Sequence, residues 1–159
     1  MERSTAEPAK APRLPPRWFV RIAWVAHRAI HRLSGGRRGL WLPKPGKWGA
    51  LRLTTIGRRS GKRRVAILGY YEDGPNLVTL AMNGWGNGEP AWWLNLQAQP
   101  DTTVVLKDGP RAVRGRAAVG EERARLWARW REMGNEEIDG YATLRSSETA
   151  VVVLEPRPE

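Results

Sequence analysis

Apolar side chains recur at helical spacing in residues 17–33, near the start of the chain. Winding this segment at about 100° per residue places five basic or titratable side chains within one arc. They are Arg17, Arg21, Arg28, His31 and Arg32. The opposite arc is apolar and holds Trp18, Ile22, Val25, Ala26, Ala29 and Leu33. This pattern predicts an amphipathic helix, which either rests on a membrane surface or, as is commoner, packs on its own domain.

From residue 50 onward the pattern changes to short apolar runs separated by turn residues, which is typical of strands. Strands are predicted at 50–56, 63–72, 77–82, 102–107, 111–119 and 150–154. Two further helices are predicted at 90–99, with Pro90 in the first helical position, and at 120–133, with two glutamates in the first turn. Residues 35–49, which are rich in Gly, Pro and basic side chains, predict an irregular connection.

About six strands with short turns predict a mainly β (α+β) domain built on a small antiparallel barrel with added helices. The chain has 159 residues, which suits one domain. We place that domain at 17–156, after a disordered tail at 1–16 that is rich in Pro and Ala and before a short tail at 157–159.

Composition and charge exclude several kinds of site. The chain has no cysteine and two histidines, so disulfide scaffolds, thiolate metal sites and three-histidine zinc sites are excluded. The net charge of +11 indicates an acidic partner, but the basic residues are spread along the chain without a recognition motif, so nucleic acid is disfavoured. Without a signal peptide or an apolar run of about 20 residues, we expect a cytoplasmic protein, with peripheral contact to the inner face of the membrane through residues 17–33.

The loop GRRSGKRR, residues 57–64, separates the first two predicted strands. Its two glycines allow a sharp turn that exposes backbone N–H groups, and its cations and Ser60 hydroxyl add donors, so it is suited to hold a phosphate. It departs from the P-loop pattern, because three residues separate its glycines and Arg63 follows Lys62. A solvated basic hairpin is the plainer interpretation. Ser60 has no candidate base nearby, so a hydrolase is disfavoured.

A glycine-rich loop, NGWGNGE at residues 83–89, leads into the predicted helix that carries Trp92 and Trp93. Its alternating glycines permit close backbone approach to a ligand. The two tryptophans point about 100° apart, so one can face the core while the other faces a cleft. For Trp93 the core and the cleft are equally good interpretations.

His27 and His31 have the i, i+4 spacing of a metal pair, but without a nearby carboxylate they are predicted to be surface residues; no metal site is expected.

Four motifs in one colinear order resemble a known family: LRLTTIGRRSG at 51–61, PAWWLNLQAQP at 90–100, GEERARLW at 120–127 and VVVLEP at 151–156. The family is that of the deazaflavin (F420)-dependent nitroreductases and quinone reductases of actinobacteria, a branch of the flavin-binding split β-barrels. The resemblance spans residues 17–156. It implies an FMN-binding-like split β-barrel, monomeric or homodimeric, that binds coenzyme F420 rather than FMN and passes its hydride to a quinone, enone or nitroaromatic acceptor.

The resemblance also implies the site. The GR-x-[ST]-G loop, here Arg58, Arg59 and Ser60, would hold the coenzyme phosphate. The remaining expected coenzyme-binding residues are Arg64, Val65, Ala66, Ile67, Leu68, Leu80, Ala81, Met82, Asn83, Ala91, Trp92, Trp93, Leu94 and Asn95. We expect the acceptor to stack over the ring against Trp85 or Trp93, and Tyr141 or water to supply the proton.

The chain departs from the family pattern at several positions. Asn83 stands where better-known members have Lys, and Gly69 stands where an aromatic residue often ends the second strand, which should open the pocket. The tyrosine-rich segment after the long helix is reduced to residues 134–141. The alternative function is a non-catalytic carrier of the deazaflavin, or of a lipid or tetrapyrrole ligand, on the same barrel.

Overall fold

The computed structural model describes residues 16–19, 21–22, 25–26, 39–133 and 137–158. The predicted tail at 1–16 lies outside this part except for its last residue, and His27 and His31 lie outside it too. The described residues of the predicted helix at 17–33 are helical. The rest of that helix lies outside the described residues, including Trp24, Arg28, Ala29, Arg32 and Leu33.

The described apolar residues of this N-terminal helical segment are not packed on the barrel. Trp18, Phe19, Ile22 and Val25 are between 54% and 63% exposed. Of the two alternatives for the apolar arc, packing on its own domain is therefore not observed for Trp18, Ile22 and Val25. Among the residues that the structure describes, no helix is long and apolar enough to span a membrane.

Six strands form a closed antiparallel barrel in the described part of the chain, which confirms the predicted barrel. They are β1 (Gly49–Ile56), β2 (Arg63–Asp73), β3 (Asn76–Leu80), β4 (Asp101–Leu106), β5 (Gly109–Ala117) and β6 (Val151–Pro156). Around the barrel the order is β1, β2, β3, β6, β5, β4, and β4 closes on β1. Arg157, predicted to begin a tail, still donates its backbone N–H to the Ala112 carbonyl at 2.9 Å.

The helices are α1 (Ala91–Ala98), α2 (Gly120–Glu132) and a short α3 (Ile138–Ala142) that the sequence pattern did not predict. Pro90 precedes α1 as its N-cap, with extended backbone, rather than occupying the first helical position. The third strand ends at Leu80, two residues earlier than predicted, because the chain turns there into a 3-10 turn at Asn83–Trp85.

Helix α1 closes the interior of the barrel. Trp93 and Leu96 of this helix pack in one buried cluster with Leu51 and Leu53 of β1. Gly115 makes room for the helix, since a Cβ added there would lie 2.4 Å from Leu96 Cδ2. The burial of these side chains ties α1 to the strands, so residues in its first turn are held in a defined place.

Helix α2 covers the outer face of β2, β3 and β6. Leu126 and Trp130 of the helix pack in a second buried cluster with Tyr71, Val78 and Val153. The Tyr71 hydroxyl donates to the Leu126 carbonyl at 2.8 Å, and burial raises the pKa of this tyrosine well above its usual value.

Residues 41–50, which we call the strap, form a short hairpin whose last two residues begin β1. As predicted, residues 41–48 contain no helix or strand, but two isolated bridges give this connection a defined shape. Bridges pair Trp41 with Ala50 and Lys44 with Lys47. The indole of Trp48 lies over Gly69, because a Cβ added to that glycine would be 3.2 Å from Trp48 Cε3. The expectation that Gly69 opens the pocket is therefore wrong: an indole from the strap fills that space.

Candidate functional site

A cavity of about 410 Å³ opens where β1 ends and β2 begins. The loop after β1, the start of β2 and the first turns of α1 form its walls. Its lining residues are Thr55, Gly57, Arg58, Arg59, Ser60, Arg64, Val65, Ala66, Ala91, Trp92 and Asn95. The lining combines cationic and hydroxyl side chains with the apolar residues Val65, Ala66, Ala91 and Trp92.

The cationic part of the cavity is a compact turn between β1 and β2. The Gly57 N–H donates to the Lys62 carbonyl at 2.8 Å, and the Gly61 N–H donates to the Gly57 carbonyl at 2.8 Å. A Cβ at Gly57 would lie 2.6 Å from Ser60 Oγ, and Gly61 has a φ of +67°, so both positions suit glycine. The Lys62 N–H donates to Ser60 Oγ at 3.3 Å. The Ser60 hydroxyl hydrogen therefore remains free to donate to a ligand.

Asn95 braces this turn from helix α1. Its Oδ1 accepts the Arg58 backbone N–H at 3.1 Å, and its Nδ2 donates to Thr55 Oγ1 at 3.3 Å. The Asn95 side chain is buried, and such a polar group is stable in the interior because both of its ends are hydrogen-bonded. The resemblance placed Asn95 among the coenzyme contacts; the geometry adds that it holds the position of the Arg58 backbone.

The two adjacent tryptophans of α1 lie in different environments. Trp93 is 5% exposed and belongs to the barrel core, while Trp92 lines the cavity. Their ring centroids are 6.2 Å apart, with an interplanar angle of 59°. Of the two interpretations left open for Trp93, the core is therefore the observed one, and the geometry gives no support to the catalytic role predicted for it.

The cavity gathers about half of the sequence-predicted site. The predicted residues that line it are Arg58, Arg59, Ser60, Arg64, Val65, Ala66, Ala91, Trp92 and Asn95. Those that do not line it are Ile67, Leu68, Leu80, Ala81, Met82, Asn83, Trp93, Leu94 and Tyr141. Thr55 and Gly57 also line the cavity, although neither was named as a coenzyme contact. Both lie inside the motif LRLTTIGRRSG at 51–61, so the motif itself contained the signal.

A buried arginine, missed at the sequence level, holds the glycine-rich loop beside α1. The Arg145 side chain is fully buried. It donates to the carbonyls of Gly86 at 3.0 Å, Ala81 at 3.1 Å and Gly88 at 2.8 Å, and to Thr149 Oγ1 at 2.8 Å.

The loop held in this way has a strained backbone. Asn83 and Trp85 have φ values of +49° and +62°, in the left-handed region that side chains other than glycine rarely adopt. Asn83 Nδ2 also donates to the Asn87 and Gly88 carbonyls, at 2.9 and 3.1 Å. The side-chain amide of Asn83 therefore stabilises the loop through these two hydrogen bonds, which explains an asparagine at this position without any contact to a ligand.

Tyr141 lies on α3, outside the cavity, where it stacks on Trp85. Their ring centroids are 5.8 Å apart and the interplanar angle is 19°. The Tyr141 hydroxyl donates to Glu137 Oε2 at 2.9 Å, and this hydrogen bond raises the pKa of the tyrosine above its usual value. A phenol held by a carboxylate in this way is a weaker acid than free tyrosine.

Comparison with known proteins identifies the family to which this geometry belongs. The model of the F420H(2)-dependent quinone reductase family matches residues 24–156. The chain belongs to this family. An F420H(2)-dependent quinone reductase of Mycobacterium tuberculosis is 32% identical over 149 residues, which cover 89% of this chain and 97% of the relative.

Solved structures agree with the family assignment. An F420-H2 dependent reductase matches with a TM-score of 0.60 and 26% identity, covering 74% of this chain and all of that one. A domain-swapped dimer matches with a TM-score of 0.62 and 26% identity, covering 85% of this chain and 99% of that one. These matches confirm the predicted split β-barrel. As a member of this family, the protein is an oxidoreductase whose cofactor is coenzyme F420.

Proposed function

We propose that this oxidoreductase reduces a quinone and binds its coenzyme in the cavity at the end of β1. The observation that supports this most directly is that one cavity joins a cationic loop to an apolar wall. A coenzyme phosphate requires charge-assisted donors, while a planar tricyclic ring requires flat apolar surface. Enones and nitroaromatics, which are also planar electrophiles, are further acceptors in this proposal.

The residues of the loop fit the anionic part of the coenzyme. The Arg58 and Arg59 guanidiniums and the Ser60 hydroxyl would donate to the phosphate, and Arg64 also lines the cavity. Because Asn95 already holds the Arg58 backbone N–H, the turn is in place before the ligand arrives, and less ordering entropy is lost on binding.

The apolar residues of the cavity fit the ring. Val65 and Ala66 of β2 and the indole of Trp92 would contact it, since all three line the same cavity as the loop. When bound, coenzyme F420 supplies the hydride. The protein then needs to orient the ring and keep one face open to the acceptor, a task for which neither a cysteine nor a histidine base is required.

Turnover with a simple quinone tests the proposed function. The full chain mixed with reduced coenzyme F420 and menadione is expected to accelerate recovery of the absorbance of the oxidised coenzyme over a protein-free sample. Coenzyme binding without acceleration, across quinones, enones and nitroaromatics, would contradict the enzymatic proposal and favour the carrier function on the same barrel.

We propose that water, rather than Tyr141, supplies the proton to the reduced acceptor. The phenol lies outside the cavity and donates to Glu137. Tyr141→Phe is expected to change kcat by no more than about twofold, whereas loss of a general acid typically costs about 10²-fold or more. The pH profile of kcat provides the second readout, and loss of its alkaline limb together with a large drop in kcat would assign the proton to Tyr141.

We also propose peripheral membrane contact through the helix predicted at residues 17–33. The exposure of Trp18, Ile22 and Val25, beside the basic Arg17 and Arg21, supports it. The full chain is expected to float with vesicles that contain phosphatidylglycerol, and Trp18→Ser/Ile22→Ser is expected to stay in solution. Equal flotation of both proteins would contradict this contact.

A further inference from the structure

The strap before β1 builds a second cavity, which the proposed coenzyme site does not use. This cavity has a volume of about 650 Å³. Its lining residues are Trp41, Leu42, Lys44, Lys47, Trp48, Lys107 and Met133. None of them lines the first cavity. The eight-residue strand β1 runs from the strap to the loop of the first cavity, a span of roughly 23 Å at about 3.3 Å per residue.

The two tryptophans of the second cavity are fixed by the strap hairpin. Pro45 and Gly46, with a φ of +70° at the glycine, form the central residues of its turn, as in a type II turn. The backbones of Lys44 and Lys47 exchange two hydrogen bonds across it, at 3.0 and 2.9 Å. The strap crosses closely over Gly49, where an added Cβ would lie 2.7 Å from the Trp41 carbonyl oxygen.

Trp41 and Trp48 therefore form a defined pair of aromatic surfaces. The Trp41 indole N–H donates to the Trp48 carbonyl at 3.0 Å, and the ring centroids are 5.4 Å apart with an interplanar angle of 43°. Both side chains are 39% exposed, although each is anchored by these contacts. Ordered indoles that stay exposed offer flat apolar surface to a planar ligand at a low cost in side-chain entropy.

The charged residues that line this cavity are all positive. Lys44, Lys47 and Lys107 line the cavity, and none of them forms an ion pair within the part of the chain that the structure describes. Asp108, the acid next to Lys107 in sequence, is paired with Arg111 at 3.1 Å. The three ammonium groups are thus available to a negatively charged ligand.

We propose that the strap cavity is a second ligand site, for a planar aromatic molecule that carries a carboxylate, sulfonate or phosphate group. The ring stacks on Trp41 and Trp48, Leu42 and Met133 extend the apolar wall, and the lysines contact the anion. The volume is within the range of small-molecule sites. The oligoglutamate tail of coenzyme F420 fits this wall poorly, because it has no apolar surface that could contact the two indoles. This inference is independent of the proposed activity.

Binding of a charged and an uncharged dye to the full chain tests the inference without coenzyme. The anionic probe is 8-anilinonaphthalene-1-sulfonate, and its uncharged analogue is N-phenyl-1-naphthylamine, each followed by its emission. Lys44→Gln/Lys47→Gln is expected to raise the Kd of the anionic dye about tenfold and to leave that of the neutral dye unchanged. The matched control is Lys62→Gln/Arg63→Gln, which removes two charges outside both cavities and is expected to change neither Kd.

The position of the dye is read from the indole N–H resonances of Trp41 and Trp48, assigned with Trp41→Phe and Trp48→Phe. Shifts of both resonances on addition of the anionic dye, lost in Lys44→Gln/Lys47→Gln, support the site. The proposed site would be wrong if the Kd of the anionic dye were unchanged in Lys44→Gln/Lys47→Gln. It would also be wrong if Lys62→Gln/Arg63→Gln raised that Kd by the same factor. Anionic vesicles provide the last arm: if they displace the dye and bind in a manner that depends on Lys44 and Lys47, the occupant is a lipid surface and the small-ligand proposal is wrong.

Discussion

Replacing Arg58 and Arg59 together by alanine is expected to weaken coenzyme F420 binding by about 3 kcal/mol, roughly 10²-fold in Kd. Each guanidinium that donates to a phosphate contributes charge-assisted hydrogen bonds worth about 1.5–3 kcal/mol. Because both side chains are exposed to solvent, we expect the combined loss for the two arginines to lie at the lower end of the range. Quenching of the coenzyme fluorescence during titration measures the Kd.

Lys62→Ala/Arg63→Ala is the matched control for this variant. It removes two positive charges from the same connection, but neither residue lines the cavity. The control is expected to raise the Kd less than about fivefold, through long-range attraction alone. The thermal transition of both variants is expected to match that of the parent chain, since the loop contributes little to the core. Equal weakening by both variants would mean that the phosphate lies elsewhere on the positive surface.

Replacing Arg145 by methionine is expected to destabilise the protein by about 3–5 kcal/mol. The guanidinium is fully buried and donates to three backbone carbonyls of the 81–89 segment and to Thr149 Oγ1. Without it the buried Ala81 carbonyl and Thr149 Oγ1 lose a donor, and the Gly88 carbonyl keeps only Asn83 Nδ2. The left-handed conformations of Asn83 and Trp85 lose the support of this side chain. Urea denaturation measures the free energy of unfolding through the shift of the midpoint.

Arg131→Met is the control for Arg145→Met. The Arg131 side chain is 47% exposed and pairs with Asp139 at 3.3 Å, so its loss is expected to cost less than about 1 kcal/mol. The Arg145 side chain also contacts Glu89 Oε1, at 3.4 Å. Arg145→Lys keeps the charge but cannot reach all five acceptors, so an intermediate loss is expected. A midpoint for Arg145→Met equal to that of the parent chain would show that the loop is held by other contacts.

The alternation of apolar residues predicted the strands well, and three of the six strand pairings join strands that are linked in the chain by a short connection. The DGPN and DGP turns join neighbouring strands in hairpins, β2 with β3 and β4 with β5. The third strand was predicted too long because Ala81 and Met82 are apolar but lead into the 3-10 turn at Asn83–Trp85. At the end of this strand the Ala81 carbonyl accepts a hydrogen bond from Arg145, which lies 64 residues later in the chain. The local sequence pattern does not show that contact.

The turn that we propose to hold the phosphate was predictable because its internal contacts are local. Gly57, Ser60 and Gly61 shape their turn through contacts within six residues, which the motif displays directly. The resemblance also assigned Leu80–Asn83 to the coenzyme, but these residues do not line the cavity. The choice between Trp92 and Trp93 was open in the sequence, because both positions are compatible with an amphipathic helix and only packing against the barrel separates them.

From its residues alone this chain is predicted to be a basic, cysteine-free antiparallel barrel with a cationic turn suited to an anion, since those properties depend on composition, turn chemistry and alternation over a few positions. The closure of β4 on β1, the burial of Trp93, the bracing of Arg58 by Asn95 and the covering of Gly69 by Trp48 depend on contacts between distant segments. Such contacts are selected by how well side chains fill the space between packed elements, and that fit exists only once the whole barrel has closed.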